Sequence, residues 1–374
     1  MSDENRNPLH ELHPLGQSVW LDYIRREILE NGELEAMIAR YDLRGVTSNP
    51  TIFEEAIGKS DDYDEAMQEL AAEGADAGKA YETLAVQDIR RACDLFRPVY
   101  EAAGGHDGFV SLEVSPELAH SAEATLEEAR RLWKAVDRPN LMVKVPGTEG
   151  SVPAFEQLTA EGINVNVTLL FSISGYERVM EAYLRGLEKR TEQGGDLARV
   201  ASVASFFVSR VDSAIDAQLE KLGGDAAKSM MGKAAVANAK LAYQRFTEVF
   251  AGERWERLRG RGARVQRPLW ASTSTKNPSY RDVIYVEELI GEHTVNTMPL
   301  ATVKAFADHG VARRTVDQDL PAAHQVLADL RELGIDLDAV TEQLQTEGVD
   351  KFSKSFRGMM QVVEEKLSRV AQKA

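Results

Sequence analysis

Cysteine is almost missing from this chain: Cys93 is the single one in 374 residues. No intrachain disulfide can form, and an oxidising compartment gains no support. Within Arg90-Arg91-Ala92-Cys93-Asp94-Leu95-Phe96 it sits at helical spacing in an amphipathic pattern, which reads as a core thiol. Long apolar runs are missing too, so no stretch approaches a membrane span. The opening residues 1–8 are polar and acidic and lack the charged-then-apolar plan of a signal peptide, so a cytoplasmic location is the default expectation. Basic residues are outnumbered, 44 Lys and Arg against 60 Asp and Glu, for a net charge of -16. That balance argues against non-specific affinity for nucleic acid or an anionic membrane, and an anionic substrate must be drawn by a local basic site. Metal-ligand spacing is also lacking: His10, His13, His106, His120, His293, His309 and His324 form no ligating pattern with Asp, Glu or Cys, so no metal is expected. Gly147-Thr148-Glu149-Gly150 falls short of a P-loop and reads as a turn.

What is there is the composition of a soluble globular protein, 43% hydrophobic and 28% charged. The length suits two ordinary domains or one α/β barrel with additions. Strands are expected at 18–23, 45–50, 109–114, 141–145, 163–169, 200–207, 268–273 and 294–298, where short β-like runs interrupt longer amphipathic ones. Between them the spacing predicts a helix over 24–40 and three helices over 51–103, broken at Gly58, Gly74 and Gly78. Ser115 is placed to N-cap a helix with Pro116 in its first turn, and further helices are expected over 151–160 and 174–192. Residues 211–259 read as helical in two or three pieces, with the charges of 253–264 on solvated faces. Beyond Pro299 the chain reads as helical to its end, apart from a loop around 346–350. No repeat, low-complexity tract or linker intervenes, so 1–374 is expected to form a single domain with 300–374 a mainly helical extension.

Eight strands separated by helices match a (β/α)8 TIM barrel with added helices in the sixth crossover and at the C-terminus. The count alone leaves a doubly wound open sheet in play. Alternation within the strands favours the barrel, because one parity is polar on most of them. That set comprises Ser18, Trp20 and Asp22, then Thr47 and Asn49, Ser111 and Glu113, Met142 and Lys144, Asn164, Asn166 and Thr168, Trp270, Ser272 and Ser274, and Thr294 and Asn296, with Ser205 among apolar neighbours. Ordinary barrel interiors are dominated by Val, Ile and Leu, and barrel enzymes keep their chemistry at the C-terminal strand ends, where Asp22, Glu113 and Lys144 fall. Lys144 is the most telling, a lysine inside Leu141-Met142-Val143-Lys144-Val145-Pro146. Burying an ammonium is costly, so such a lysine is paired or sheds its proton. A neutral amine on a rigid strand end is a nucleophile for a carbonyl carbon. The plain alternative is an edge-strand lysine that reaches water.

The segments SVWLDY, GVTSNPT, SLEVSP, LMVKVPGT, INVNVTLLFS, SFFVSR and WASTSTKNP, in this order and spacing, resemble transaldolase in its longer form with a helical C-terminal extension. The resemblance covers nearly the whole chain, and the phosphoglucose isomerase domain of fused relatives is not expected to follow. It implies a class I aldolase-type barrel whose Schiff-base lysine lies on the fourth strand, where strand counting independently puts Lys144.

Cleaving the C3–C4 bond of a ketose needs an electron sink at C2, a base for the C4 hydroxyl and a phosphate site. Lys144 would supply the sink as an iminium if burial and neighbouring positive charge keep its pKa low; a plain ion pair with Glu113 or Asp22 would raise it and blunt attack. Asp22 is the candidate base, a role the resemblance also implies, and a helix cap is the alternative. Glu113 is the candidate proton shuttle through a water held by Thr168, again as the resemblance implies. For Thr168 alone, a β-branched strand residue is the plainer reading. Asn49 and Asn166 would hydrogen-bond sugar hydroxyls and hold the enamine, supported by Thr47, although Asn49 before Pro50 also suits a turn. For phosphate the candidates are Arg210 and Lys276, with Ser205 and Ser274 as neutral donors. Similarity supports Arg210 directly, whereas Lys276 stands where other branches carry Arg, and a solvated surface lysine is its alternative. Phe352, Phe356, Met359, Met360, Val363 and Leu367 recur at helical spacing and read as packing on the barrel, with a dimer contact or a flap over the mouth as further readings.

The activity implied is that of a transaldolase in the non-oxidative pentose phosphate pathway. It moves a dihydroxyacetone unit from sedoheptulose 7-phosphate or fructose 6-phosphate to glyceraldehyde 3-phosphate or erythrose 4-phosphate. No cofactor is expected, since the protein's own amine is the sink. The expected partners are small sugar phosphates, not nucleic acid or membrane, and a monomer and a homodimer both stay open. Two other readings remain, a fructose 6-phosphate aldolase and a catalytically silent sugar-phosphate binder, although Asp22, Glu113 and Lys144 together argue against the second.

Overall fold

Eight short strands pair in chain order in the computed structural model, which describes residues 7–371. The opening stretch considered above as a signal peptide lies, up to residue 6, outside the described residues. The strands are β1 (Gln17–Leu21), β2 (Leu43–Val46), β3 (Phe109–Glu113), β4 (Leu141–Pro146), β5 (Val165–Leu170), β6 (Ser202–Phe207), β7 (Arg267–Ala271) and β8 (Thr294–Met298). All pairs are parallel, and β1 meets β8 to close the ring. The (β/α)8 barrel forms as expected, and closure removes the open-sheet alternative.

Paired neighbours in a barrel share a face, so the register tells which side chains point inward. Glu113 stands beside Lys144 and Lys144 beside Asn166, all inward as the alternation predicts. β7 and β8 are inverted relative to expectation. Inward-facing Ser205 pairs with Leu269, and Phe206 with Trp270, so Trp270 packs edge-on against Phe206 on the outer face. Val295 then lies beside Leu269, and Asn296 beside Trp270. The polar atoms on this outer face find backbone carbonyls in the crossover between the two strands. Trp270 Nε1 donates to the Leu289 carbonyl at 2.9 Å and Asn296 Nδ2 to that of Tyr285 at 3.4 Å. A polar parity signals the interior only where the outer cover is apolar, and here it is partly backbone.

Several helices differ from the reading of the sequence. The expected helix over 24–40 is two, Arg26–Glu30 and Glu33–Tyr41, separated at Gly32, whose φ of 84° is left-handed. Residues 51–103 make four helices, Pro50–Gly58, Asp64–Ala72, Ala77–Leu95 and Arg97–Ala102. Gly78 breaks nothing, because it is the second residue of a helix capped by Asp76. Ser115 caps only the 3-10 turn Pro116–Leu118, and Ser121 caps the long helix Ala122–Val136. The sixth crossover carries four helices, Ser209–Leu222, Gly224–Met230, Ala234–Val249 and Glu253–Arg259.

The loop expected around 346–350 is absent: Leu337–Ala371 is one continuous helix. Gly348 lies inside it for a packing reason, since a Cβ there would come within 2.9 Å of Leu169 Cδ2. The glycine lets this helix approach the end of β5. Gln345 Nε2 donates to the Leu169 carbonyl at 2.9 Å, Thr51 Oγ1 to Ser355 Oγ at 2.9 Å, and Lys366 pairs with Asp64 at 2.8 Å. The C-terminal helix is thereby strapped across the C-terminal mouth of the barrel. Cys93 is a buried free thiol in the core.

Candidate active site

The C-terminal strand ends and the loops that leave them enclose a cavity of about 240 Å³. Asp22, Thr47, Asn49, Lys144, Thr168, Ser205, Arg210, Ser274 and Lys276 all line it. Glu113 and Asn166 are not in its wall but touch residues that are, Glu113 through Lys144 and Asn166 through Ser205. Positions spread over the chain therefore converge on one chamber, as active-site residues of a barrel do.

Lys144 is only 5% exposed, on a strand paired on both sides, which excludes the edge-strand reading. Its Nζ donates to the Ser48 carbonyl at 3.2 Å and lies 3.4 Å from Glu113 Oε2. The ion pair weighed against nucleophilic chemistry thus forms, with Glu113 and not with Asp22. Burial raises the Glu113 carboxyl above its ordinary range, against the pull of the Lys144 ammonium beside it. Apart from that long contact, Glu113 Oε2 has no hydrogen-bond partner among the described residues, and neither does Thr168 Oγ1, although both are buried. Buried polar atoms of this kind are where a water or a substrate atom binds.

Thr168 keeps the inward parity of Asn166, its neighbour on β4 being Pro146 in regular register. The β5–β6 register shifts between Val167 and Leu170, and Leu169 takes a left-handed φ of 62°. Irregularities of this kind are frequent beside active sites. The neighbouring loop accommodates it through Gly147, whose N–H donates to the Thr168 carbonyl at 2.7 Å and where a Cβ would meet Leu170 Cδ2 at 2.5 Å.

Asp22, half-buried, accepts from Thr47 Oγ1 at 2.6 Å, and Thr47 also bonds Thr297 Oγ1 at 2.7 Å. It caps no helix, because the next one begins after Arg25. Burial lifts its carboxyl above the ordinary range, against the pull of Lys144, Thr47 and Arg210. Asn49 caps the helix Pro50–Gly58, its Oδ1 accepting from Ile52 N at 3.1 Å. Asn166 is held at both ends: Nδ2 donates to Ser111 Oγ at 3.1 Å, and Ser205 Oγ donates to Oδ1 at 2.7 Å. Ser205 thus commits its proton to Asn166.

Arg210 is the second residue of the helix after β6. It makes no hydrogen bond or ion pair among the described residues; its guanidinium lies 5.0 Å from the Phe207 ring centroid and 5.9 Å from that of Phe352. Lys276, in the loop after β7, donates to Ser274 Oγ at 2.7 Å. Phe207, Thr297, Lys351 and Phe352 also line the chamber and were not picked out as site residues from the sequence. Phe207 shares the inward parity of Ser205, which could have marked it. Lys351 and Phe352 come from the C-terminal helix, and nothing short-range marks where that helix will dock.

Among the described residues no group of three or more His, Cys, Asp or Glu is placed to hold a metal, and no helix is long and apolar enough to cross a membrane. The profile of the Transaldolase/Fructose-6-phosphate aldolase family matches residues 19–363, from β1 to the C-terminal helix. The chain belongs to this family. A transaldolase of Frankia alni is 51% identical over 364 residues, covering 97% of this chain and 98% of the relative. One of Saccharopolyspora erythraea is 52% identical, covering 96% and 98%. One of Mycobacterium marinum is 48% identical, covering 99% of this chain and 100% of the relative. Likeness of this extent makes the protein an enzyme of the class that transfers aldehyde or ketone residues.

Proposed function

We propose that this enzyme transfers a dihydroxyacetone unit between sugar phosphates through a Schiff base on Lys144. The observation that carries the reading is Lys144 itself, buried on a central strand with its amine 3.4 Å from a carboxyl that burial primes to take its proton. Proton transfer to Glu113 leaves a neutral amine, which attacks the C2 carbonyl of a ketose phosphate. The carbinolamine loses water as Glu113 returns the proton to the departing hydroxyl, through a water that Thr168 Oγ1 helps to hold. Asp22 removes the C4 hydroxyl proton, the C3–C4 bond breaks, and its electron pair flows into the iminium to give an enamine. The aldose phosphate leaves, an acceptor aldose phosphate enters, and the steps reverse.

Asn166 and Asn49 bind hydroxyls of the three-carbon unit without protonating the enamine, since a neutral amide is not an acid. Thr47 orients Asp22. Arg210, without an acceptor among the described residues, takes the phosphate with Lys276 and Ser274, and Ser205 supports the sugar through Asn166. The donors are sedoheptulose 7-phosphate and fructose 6-phosphate, the acceptors glyceraldehyde 3-phosphate and erythrose 4-phosphate, as in the non-oxidative pentose phosphate pathway. The test is release of glyceraldehyde 3-phosphate from fructose 6-phosphate, with and without erythrose 4-phosphate, read through a coupled dehydrogenase. Release that requires the acceptor is the expected result. Release without it makes the enzyme an aldolase whose enamine is protonated by water, and no release in either case leaves a silent sugar-phosphate binder.

A further inference from the structure

We propose that Lys351, on the C-terminal helix, is a third phosphate-binding cation, so that this helix sets the preference for phosphorylated over unphosphorylated sugars. The inference rests on the sugar-phosphate reading of the site and adds to it a residue from outside the barrel. Lys351 and Phe352 line the same chamber as Arg210 and Lys276. The helix that carries them is fixed in place on both sides of Lys351. Three residues before it, a Cβ on Gly348 would lie 3.8 Å from Arg210 Nη1. One residue after it, the Phe352 ring sits 5.9 Å from the Arg210 guanidinium. Positions three and four apart share a helix face, so Lys351 flanks Arg210.

The charge arrangement points to a ligand. Arg210, Lys276 and Lys351 form no ion pair among the described residues, although the chain carries 60 acidic side chains against 44 basic ones. Lys276 feels the other two, since burial lowers its pKa and Arg210 and Lys351 lower it further. Lys276 and Lys351 are exposed at the mouth, and like charges gathered around a cleft draw an anion into it. A sugar phosphate carries close to two negative charges near neutral pH. The Arg210 fork can take two of its oxygens, with the two ammonium groups on the others. Phe352 closes the apolar side of the pocket, 5.8 Å from Lys144 Nζ.

The experiment compares wild type, Lys351→Met and Lys351→Arg in two readouts. Calorimetric titration with inorganic phosphate should show affinity about tenfold weaker in Lys351→Met, as the loss of one charge-assisted contact predicts, and restored to within about twofold in Lys351→Arg. The ratio of KM for fructose 6-phosphate to KM for fructose should rise about tenfold in Lys351→Met, since a packing role for the helix would move both constants together. No phosphate binding by the wild type, unchanged phosphate affinity in Lys351→Met, or an unchanged KM ratio overturns the assignment. A wild type that binds phosphate but transfers no three-carbon unit would instead sink the transaldolase reading and leave the phosphate site standing, to be judged by the titration.

Discussion

The two ends of this barrel both gather cationic side chains and differ in whether those cations are paired. The N-terminal mouth opens on a cleft of about 1520 Å³, several times the volume of the C-terminal chamber. Arginine side chains line that cleft, but each is spoken for. Arg44 bonds Asp42 at 3.1 Å, Arg264 the Gly104 carbonyl at 3.0 Å, and Arg314 both Asp317 and Glu292. Arg267 binds the His106 and Thr294 carbonyls at 3.2 and 2.9 Å and lies 3.6 Å from Asp107. Asp107 in turn accepts from Ser18 Oγ and, at 3.0 Å, from Trp20 Nε1, tying the first strand to the seventh. At the C-terminal mouth, among the described residues, Arg210 has no acceptor, Lys276 has only a hydroxyl, Thr168 keeps a buried oxygen without a hydrogen bond, and Glu113 Oε2 has only its long contact with Lys144. Volume alone therefore points to the wrong end. A closed polar network is structure, and convergent polar groups left open are a site.

The largest expected effect separates the two ends. Lys144→Met should lower turnover by at least about 10⁴-fold, because the proposed Schiff-base nucleophile is lost, while thermal unfolding moves little. Borohydride in the presence of fructose 6-phosphate should label the wild type and not the variant; retained turnover would remove Lys144 as the nucleophile. Asp107→Ala should do the reverse. Urea unfolding should show a loss of about 3–5 kcal/mol, since Arg267 is left buried without its carboxylate, while activity per folded molecule stays near the wild-type value. Equal losses of activity and stability in both variants would erase the distinction between the ends.

The smallest effect concerns Asp212, two residues beyond Arg210 on the helix that leaves β6. It accepts from Tyr285 Oη at 2.7 Å and from Ala235 N at 2.7 Å, yet burial raises its pKa from 3.8 to about 6. The folded state holds this proton more tightly than the unfolded chain does, so its contribution is fully present below pH 3.8 and is lost as pH rises through about 6. Between those limits the wild type should lose about 3 kcal/mol relative to Asp212→Asn, measured as the difference between their stability–pH curves. Parallel curves would mean that folding leaves the Asp212 pKa unshifted.

Much of the catalytic end was legible because it lies on single strands. Lys144, Glu113 and Asp22 stand out as charged residues in apolar runs, and period-two alternation predicts that they face one interior. The same rule failed at β7 and β8, where Trp270 and Asn296 satisfy themselves on outer-face carbonyls. A separate expectation, the loop at 346–350, failed where Gly348 marks a close approach to Leu169 inside a helix. Glycine carries both meanings in a sequence, and only the neighbour across the gap tells them apart.

Local rules were enough for the barrel, for the buried place of Lys144 in it and for most of the groups that gather around it, because strand parity, capping and charge burial act over a few residues. They could not say that Lys144 would pair with Glu113 while Asp22 bonded Thr47, nor that the cleft with the paired arginines would lie at the opposite mouth. They also could not bring Lys351 and Phe352 to Arg210 across well over a hundred residues of chain. Those outcomes depend on how separate elements pack, and packing is set by the shapes and charges that meet across the fold rather than by the order in which they are strung.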